Sequence, residues 1–259
     1  MSQRGRIFVF SSHRSGSTLL YQVCRGLAQR TGYRHYAPNG GDVAVSLRQL
    51  AEQPERWLTQ PGCFGPLRAY IPVPRPDQAR ILVHLRDPRD VLVSMFFSYC
   101  YSHAGEIAGA IGIRGKAAED GIDNFVLQMA TADAVAFPGA YGTGNHIWDL
   151  AGNLRQRYDS YLRNVLDHQE SVLVRYEDML FDPAGWLGDV AGVFGVRDSE
   201  VVERLSAALA SSPRAAREDR WTHKRQIEPG DHRRKLKGET IGQLNEILGD
   251  VLARLGYPA

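Results

Sequence analysis

The sequence predicts an α/β fold in which helices flank a central parallel sheet. Three observations carry this. Short runs rich in Val, Ile, Leu and Phe occur at Arg6–Phe10, Ile81–Leu85 and Ser171–Arg175, as in strands buried on both faces. Each run leads into a polar turn. Each turn leads into a stretch with the period of an amphipathic helix, and repeated strand–turn–helix units build parallel sheets.

The helices predicted in chain order are Thr18–Arg30, Arg89–Tyr101, His146–Leu166, Ala184–Phe194, Ser199–Leu209 and Ile241–Leu255. The stretch 102–144 is rich in Gly and Ala and weakly periodic. It reads as a lid or acceptor-site excursion inside a single domain covering 1–259, a length that suits one large domain. Ser211–Lys237 is polar and strongly basic and is expected to cross the surface. Ligands of parallel sheets sit at the carboxyl ends of the strands, where the polar turns fall.

Composition narrows the function classes. The 31 basic residues nearly balance the 29 acidic ones, so net charge predicts no nucleic acid and no anionic membrane partner. Cys24, Cys63 and Cys100 match no metal spacing and are too few for a disulfide framework, which fits a reducing, cytoplasmic setting. The apolar run IFVF near the N-terminus is far shorter than a signal-peptide core, and no segment approaches a membrane span.

The turn after the first strand, SSHRSGST, is the first chemical signal. A helix N-terminus presents unpaired amides and a positive dipole end, and so attracts anions. Gly16 lets backbone approach a ligand closely, and Ser15, Ser17 and Thr18 add hydroxyls. Against the nucleotide-hydrolase pattern GxxxxGK[ST], aligned on Gly16, Ser17 stands in place of the lysine that reaches β/γ-phosphates. Hydrolysis of ATP or GTP is therefore not indicated. A cation, Arg14, sits earlier in the loop. Taken alone, the stretch also fits an ordinary serine-capped junction.

The second signal is ILVHLRDPRDVLVSMFFSY. Arg86 stands at the carboxyl end of a strand, Pro88 and Asp90 suit a helix start, and Ser94 follows eight positions after Arg86. In isolation this is equally a solvated helix start with Arg–Asp pairs.

Together the two turns resemble those of sulfotransferases that use 3′-phosphoadenosine 5′-phosphosulfate (PAPS). In that family a loop of the form PKSGTTW or RSGST holds the 5′-phosphosulfate. The Arg and Ser of RxPxDxxVS hold the 3′-phosphate. The resemblance assigns these roles to Arg14, Ser15, Gly16, Ser17 and Thr18, and to Arg86 and Ser94. Two further stretches follow in the family's order. VLVRYEDMLFDP is similar to YEDxxxxP and makes Tyr176 an adenine contact. HKRQIEPGDHRRKL is similar to RKGxxGDWK and gives Arg225 to the 3′-phosphate, with Gln226, Ile227 and His232 departing from the pattern. Leu19 stands where many members have a Trp against the adenine.

The resemblance implies a P-loop-like sulfotransferase architecture and a metal-independent enzyme. Its donor would be PAPS, and its product adenosine 3′,5′-bisphosphate (PAP). Arg14 takes the position of the family's catalytic Lys and would meet charge developing on the bridging oxygen. The family's base, a His before a Pro, is replaced in AYIP by Tyr70, a poor base with a pKa near 10. His103 and His146 are then the leading candidates for the base, with His13 and Glu106 behind them. The aromatic stretch SMFFSYCYSH either underlies an acceptor or forms core at helical spacing. The expected acceptor is a hydroxyl of a small molecule, a saccharide or a biosynthetic intermediate. The oligomeric state stays open, a homodimer included. Two rival readings are a P-loop kinase-type phosphotransferase and a non-catalytic adenine-nucleotide-binding module.

Overall fold

The structure is a computed structural model and describes residues 5–38, 40–102, 110–131, 154–166, 171–198, 203 and 227–259. The chain divides into two compact units, Met1–Arg86 with Ser160–Ser212, and Asp87–Asp159 with Pro213–Ala259.

The first unit is built on a sheet whose paired strands all run parallel. Its strands are β1 (Arg6–Ser11), β2 (His35–Ala37), β4 (Val43–Ala44), β5 (Gly62–Leu67), β6 (Ala79–Leu85) and β7 (Ser171–Arg175), in the order β4-β2-β5-β1-β6-β7. A two-residue strand, β3 (Gly40–Gly41), precedes β4, and two short helices, α2 (Leu47–Glu52) and α3 (Pro54–Trp57), lie between β4 and β5 in the chain. The three strands expected from sequence are the adjacent trio β1, β6 and β7. The other half of the sheet is new. β2 and β4 are too short to show a pattern. β5, GCFGPL, contains two glycines and a proline, which ordinarily argue against a strand. Here Gly65 is required: its φ is +127°, and a Cβ would run into the Val9 carbonyl. The pairing of β1 with β5 slips register between Phe8 and Phe10 at this point.

Helix α1 (Ser17–Thr31) follows β1 and buries Leu20, Val23, Cys24, Leu27 and Ala28, one face of a 3.6-residue repeat. These pack with Ile7, Val9, Leu82 and Val174 from one face of the sheet. The same core takes Trp186, Leu187 and Val190.

In the second unit α4 (Pro88–Phe97) starts on a proline at its first turn, and Asp87 caps it by accepting from the Arg89 amide at 2.9 Å. A π-helical turn (Ser98–Ser102) follows. Within 102–144, weak periodicity hid a 22-residue helix, α5 (Ala110–Thr131), interrupted at Gly121. Met95 and Phe96 are buried, and the Phe96 ring meets Phe125 of α5 edge-on at 5.4 Å. The SMFFSYCYSH stretch thus contributes core. Helix α6 (Leu154–Asn164) is the described part of the helix expected at His146–Leu166. The first unit resumes with α7 (Tyr176–Phe181) and α8 (Pro183–Val193). The helix expected at Ser199–Leu209 lies outside the described residues except for residue 203.

The second unit ends with α9 (Asp231–Lys235) and α10 (Gly238–Leu255), whose Leu244, Leu248, Val251, Leu252 and Leu255 are buried. The basic stretch before Lys237 was expected on the surface. Of it, 211–226 lie outside the described residues, and Arg233, Arg234 and Lys237 are exposed, while Asp231 and His232 are buried, because both His232 and the chain entering α9 are bound to a buried carboxylate. Among the described residues, no helix is long and apolar enough to cross a membrane.

Candidate active site

β1 ends at Ser11, and the loop Ser12–Gly16 delivers the chain to α1. The loop is closed by its own hydroxyls. Ser15 Oγ donates to the Ser12 carbonyl at 2.6 Å, and the Ser11 and Ser15 hydroxyls lie 2.9 Å apart. Ser11, Ser12 and Ser15 are buried, so the Ser15 hydroxyl shapes the loop from within. From α6, the buried Tyr161 donates its hydroxyl to the Ser11 carbonyl at 2.9 Å and fixes the exit of β1. Sequence reasoning missed Tyr161, since nothing in the pattern of α6 marks it.

Two consecutive constraints then turn the backbone. Arg14 has φ 61°, a left-handed conformation that costs a non-glycine residue roughly 1–2 kcal/mol. Such strain persists where surrounding structure enforces it, and it clusters at functional sites. Gly16 has φ 77°, and a Cβ there would lie 3.0 Å from Met179 Cε and 3.2 Å from Tyr176 Cε2. Gly16 is also the N-cap of α1, and among the described residues no side chain caps that helix. The opening amides of α1, backed by the helix dipole, are thus arranged for an anion. Ser17 is buried at this end, and Thr18 is exposed.

Arg86 follows β6. β1 and β6 are parallel neighbours with Ser11 opposite His84, which brings both carboxyl ends to the same edge of the sheet. Arg86 Nη1 donates to the Arg14 carbonyl at 3.0 Å. Its guanidinium carbon stands 4.4 Å from the centre of the Tyr176 ring, a cation–π arrangement, and the residue is 3% exposed. The first unit therefore joins the Arg14 loop, Arg86 and Tyr176, three of the regions singled out in the sequence. Ser94 lies half-buried on α4 in the second unit. His103, Glu106, His146 and Arg225 lie outside the described residues.

Tyr70 stands half-buried with its ring 5.8 Å from that of Phe10. Burial pushes its phenol above the ordinary value, which suits it to donate a proton rather than take one. His13 is half-buried within the loop. A further buried histidine escaped sequence reasoning because it sits inside an apolar run. His84 on β6 meets Trp186 edge-on at 5.6 Å. Among the described residues, neither its ring nitrogens nor Trp186 Nε1 finds a hydrogen-bond partner. Burial lowers the His84 pKa to about 3, so the imidazole is neutral. Among the described residues, no group of three or more His, Cys, Asp or Glu gathers as a metal site.

Residues 4–256 match the model of the sulfotransferase domain. The chain belongs to the sulfotransferase family. The family's chemistry is sulfuryl transfer, and the loop at the head of α1 lies at the carboxyl end of a central strand, where a parallel sheet places its ligand. A search of curated protein sequences returns no match. Among solved structures, mouse sulfotransferase SULT7A1 complexed with PAP is 16% identical, with a TM-score of 0.59 over 97% of this chain and 86% of that one. Retinol dehydratase in complex with androsterone and inactive cofactor PAP is 16% identical, with a TM-score of 0.57 over 95% of this chain and 80% of that one. Retinol dehydratase with retinol and PAP gives 16% and 0.53, over 97% of this chain and 82% of that one. These likenesses establish that the sulfotransferase has the α/β sulfotransferase fold expected from its sequence.

Proposed function

We propose that this sulfotransferase takes its sulfuryl group from PAPS and delivers it to a hydroxyl of a small molecule, releasing PAP. The observation that carries the reading is the uncapped N-terminus of α1 at Gly16, with Arg86 laid over Tyr176 beside the same loop. The loop fits a phosphate-bearing donor, since Gly16, packed where a Cβ would press on Met179 and Tyr176, turns the chain so that the α1 amides lead. PAPS, when bound, supplies the sulfuryl group and a bisphosphate leaving group.

The protein's own residues divide the work. The amides at Gly16, Ser17 and Thr18 bind the 5′ end, and Arg14 faces the charge that grows on the leaving oxygen. Arg86 takes the 3′-phosphate through charge-assisted hydrogen bonds while Tyr176 lies against the adenine. Ser94 and Arg225 enter this reading through the family motif, and His103 and His146 as the candidate bases that remain because Tyr70 stands in the place of the family's His. Tyr70, held protonated, orients the acceptor as a hydrogen-bond donor. Small-molecule acceptors are supported by the androsterone and retinol bound in the two retinol dehydratase structures. The single family match over residues 4–256 supports reading the two units as one catalytic domain. The buried thiols Cys24 and Cys63 support a reducing compartment such as the cytoplasm.

The test is transfer of labelled sulfate from PAPS to a panel of phenols, steroid and retinoid alcohols, and sugars. Label on at least one small-molecule alcohol or phenol is expected. Label on sugars alone would overturn the acceptor class, and label on none would overturn the reading.

A further inference from the structure

One buried side chain, that of Asp90, holds the segment entering α9 at three points. Asp90 is fully buried in the first turn of α4. Its Oδ2 accepts from the Gly230 amide at 2.7 Å, and its Oδ1 accepts from the His232 amide at 2.9 Å and from His232 Nδ1 at 2.6 Å. His232 is itself 2% exposed, and among the described residues its Nε2 has no partner. A buried imidazole with one nitrogen bound and the other left dry costs stability, so packing alone does not explain a histidine here.

The position of Asp90 gives the arrangement a consequence. Ser94 lies four residues further along α4, so the two share a face of the helix. The three bonds to Asp90 therefore lay Gly230–His232 along the face that carries Ser94. The neighbouring charges are already committed. Arg89 forms a fork with Asp87, through Nε at 3.0 Å and Nη2 at 2.8 Å, and donates to Asn245 Oδ1 at 2.7 Å and to the Pro258 carbonyl at 2.9 Å. α4 is thus anchored to the C-terminal segments on two sides, by Arg89 to α10 and the residues after it, and by Asp90 to the entrance of α9.

We propose that the Asp90–His232 pair is a positioning device for donor recognition: it sets the Ile227–His232 segment beside Ser94 and so governs selectivity for a 3′-phosphorylated nucleotide. This rests on the PAPS reading above. His232 touches no reacting atom and acts through the backbone it holds. The Nδ1–H is the atom that matters. An asparagine side chain places an N–H at nearly the same point, a glutamine places one at the Nε2 point, and an alanine places none.

Calorimetry on the full chain tests this, with PAP and AMP as probes and thermal unfolding followed in parallel. The quantity read is the ratio of the two affinities. His232→Ala and His232→Gln are expected to lower that ratio about tenfold, the loss of one hydrogen bond to a charged group, and His232→Asn to restore it. Melting temperatures that fall in the Ala and Gln variants with an unchanged ratio would show a merely structural pair and overturn the proposal. A wild-type chain that binds PAP and AMP equally would instead overturn the donor reading, and this proposal with it.

Discussion

In the turn after β1, no side chain caps the following helix, Arg14 is held at φ 61°, and the serine hydroxyls are bonded within the loop. In the turn after β6, Asp87 caps α4 and also grips Arg89, while Asp90 accepts three hydrogen bonds from the chain entering α9. The first turn leads into the opening amides of α1 and holds Arg14 in a left-handed conformation. The second closes its charges on one another and on the C-terminal segments. A motif that reads in sequence as one ligand-binding block, RDPRDVLVS, is therefore two sets of residues. Asp87, Arg89 and Asp90 are committed to bonds within the fold, and the donor role proposed above falls to other residues of the motif, Arg86 and Ser94.

The largest effect should come from the strained turn. Arg14→Ala is expected to lower turnover by roughly 100- to 1000-fold with little change in donor KM, because the charge it meets develops only during transfer. Full turnover with a raised KM would make Arg14 an anchor. The second turn should instead fail in stability. Asp90→Ala leaves the half-buried Gly230 amide, the buried His232 amide and an imidazole N–H without this acceptor, and urea unfolding should show a loss of about 3 kcal/mol. Ser15→Ala in the first turn should lose only about 1 kcal/mol, the net value of one hydrogen bond. Equal losses would erase the distinction between the turns.

His84, on β6, is in register with Ser11 and two residues before Arg86. Its folded pKa of about 3 lies below the unfolded value of about 6.5, so the unfolded chain binds its proton first. Its contribution is complete above pH 6.5 and is lost as pH falls toward 3. By pH 5 the loss should reach about 2 kcal/mol, and His84→Leu should flatten the stability profile by that amount. A profile unchanged by the substitution would mean that His84 keeps its proton-binding capacity in the fold. The smallest effect is Arg14→Gly, which relieves the left-handed backbone. It should raise stability by about 1 kcal/mol while still losing turnover, separating strain from chemistry.

How legible each part was follows from its physics. β1, β6 and β7 are continuous apolar runs because both faces are covered, and so they stood out. β5 was hidden because Gly65 and Pro66 are what its passage against Val9 requires. α5 was hidden by Gly121, which breaks its period at φ +79°. At the site, the loop and Arg86 were legible because their residue types are unusual after a strand. Tyr161 was not, since its role is set by a contact 150 residues away, with the Ser11 carbonyl. The same holds for His232. In sequence it is a departure from a family motif within a basic run, and only its partner Asp90, 142 residues away, gives it meaning.

On the proposed reading, Arg86 joins the loop that takes the 5′ end of the donor to the site of its 3′-phosphate. Calorimetry with PAP and AMP on the wild-type chain and on Arg86→Ala tests it most directly. Each charge-assisted bond contributes roughly 1.5–3 kcal/mol, so the wild type should bind PAP at least about 100-fold more tightly than AMP, and Arg86→Ala should lose most of that difference by weakening PAP alone. Equal affinity for the two nucleotides in the wild type, or an Arg86→Ala variant that weakens both alike, would contradict it.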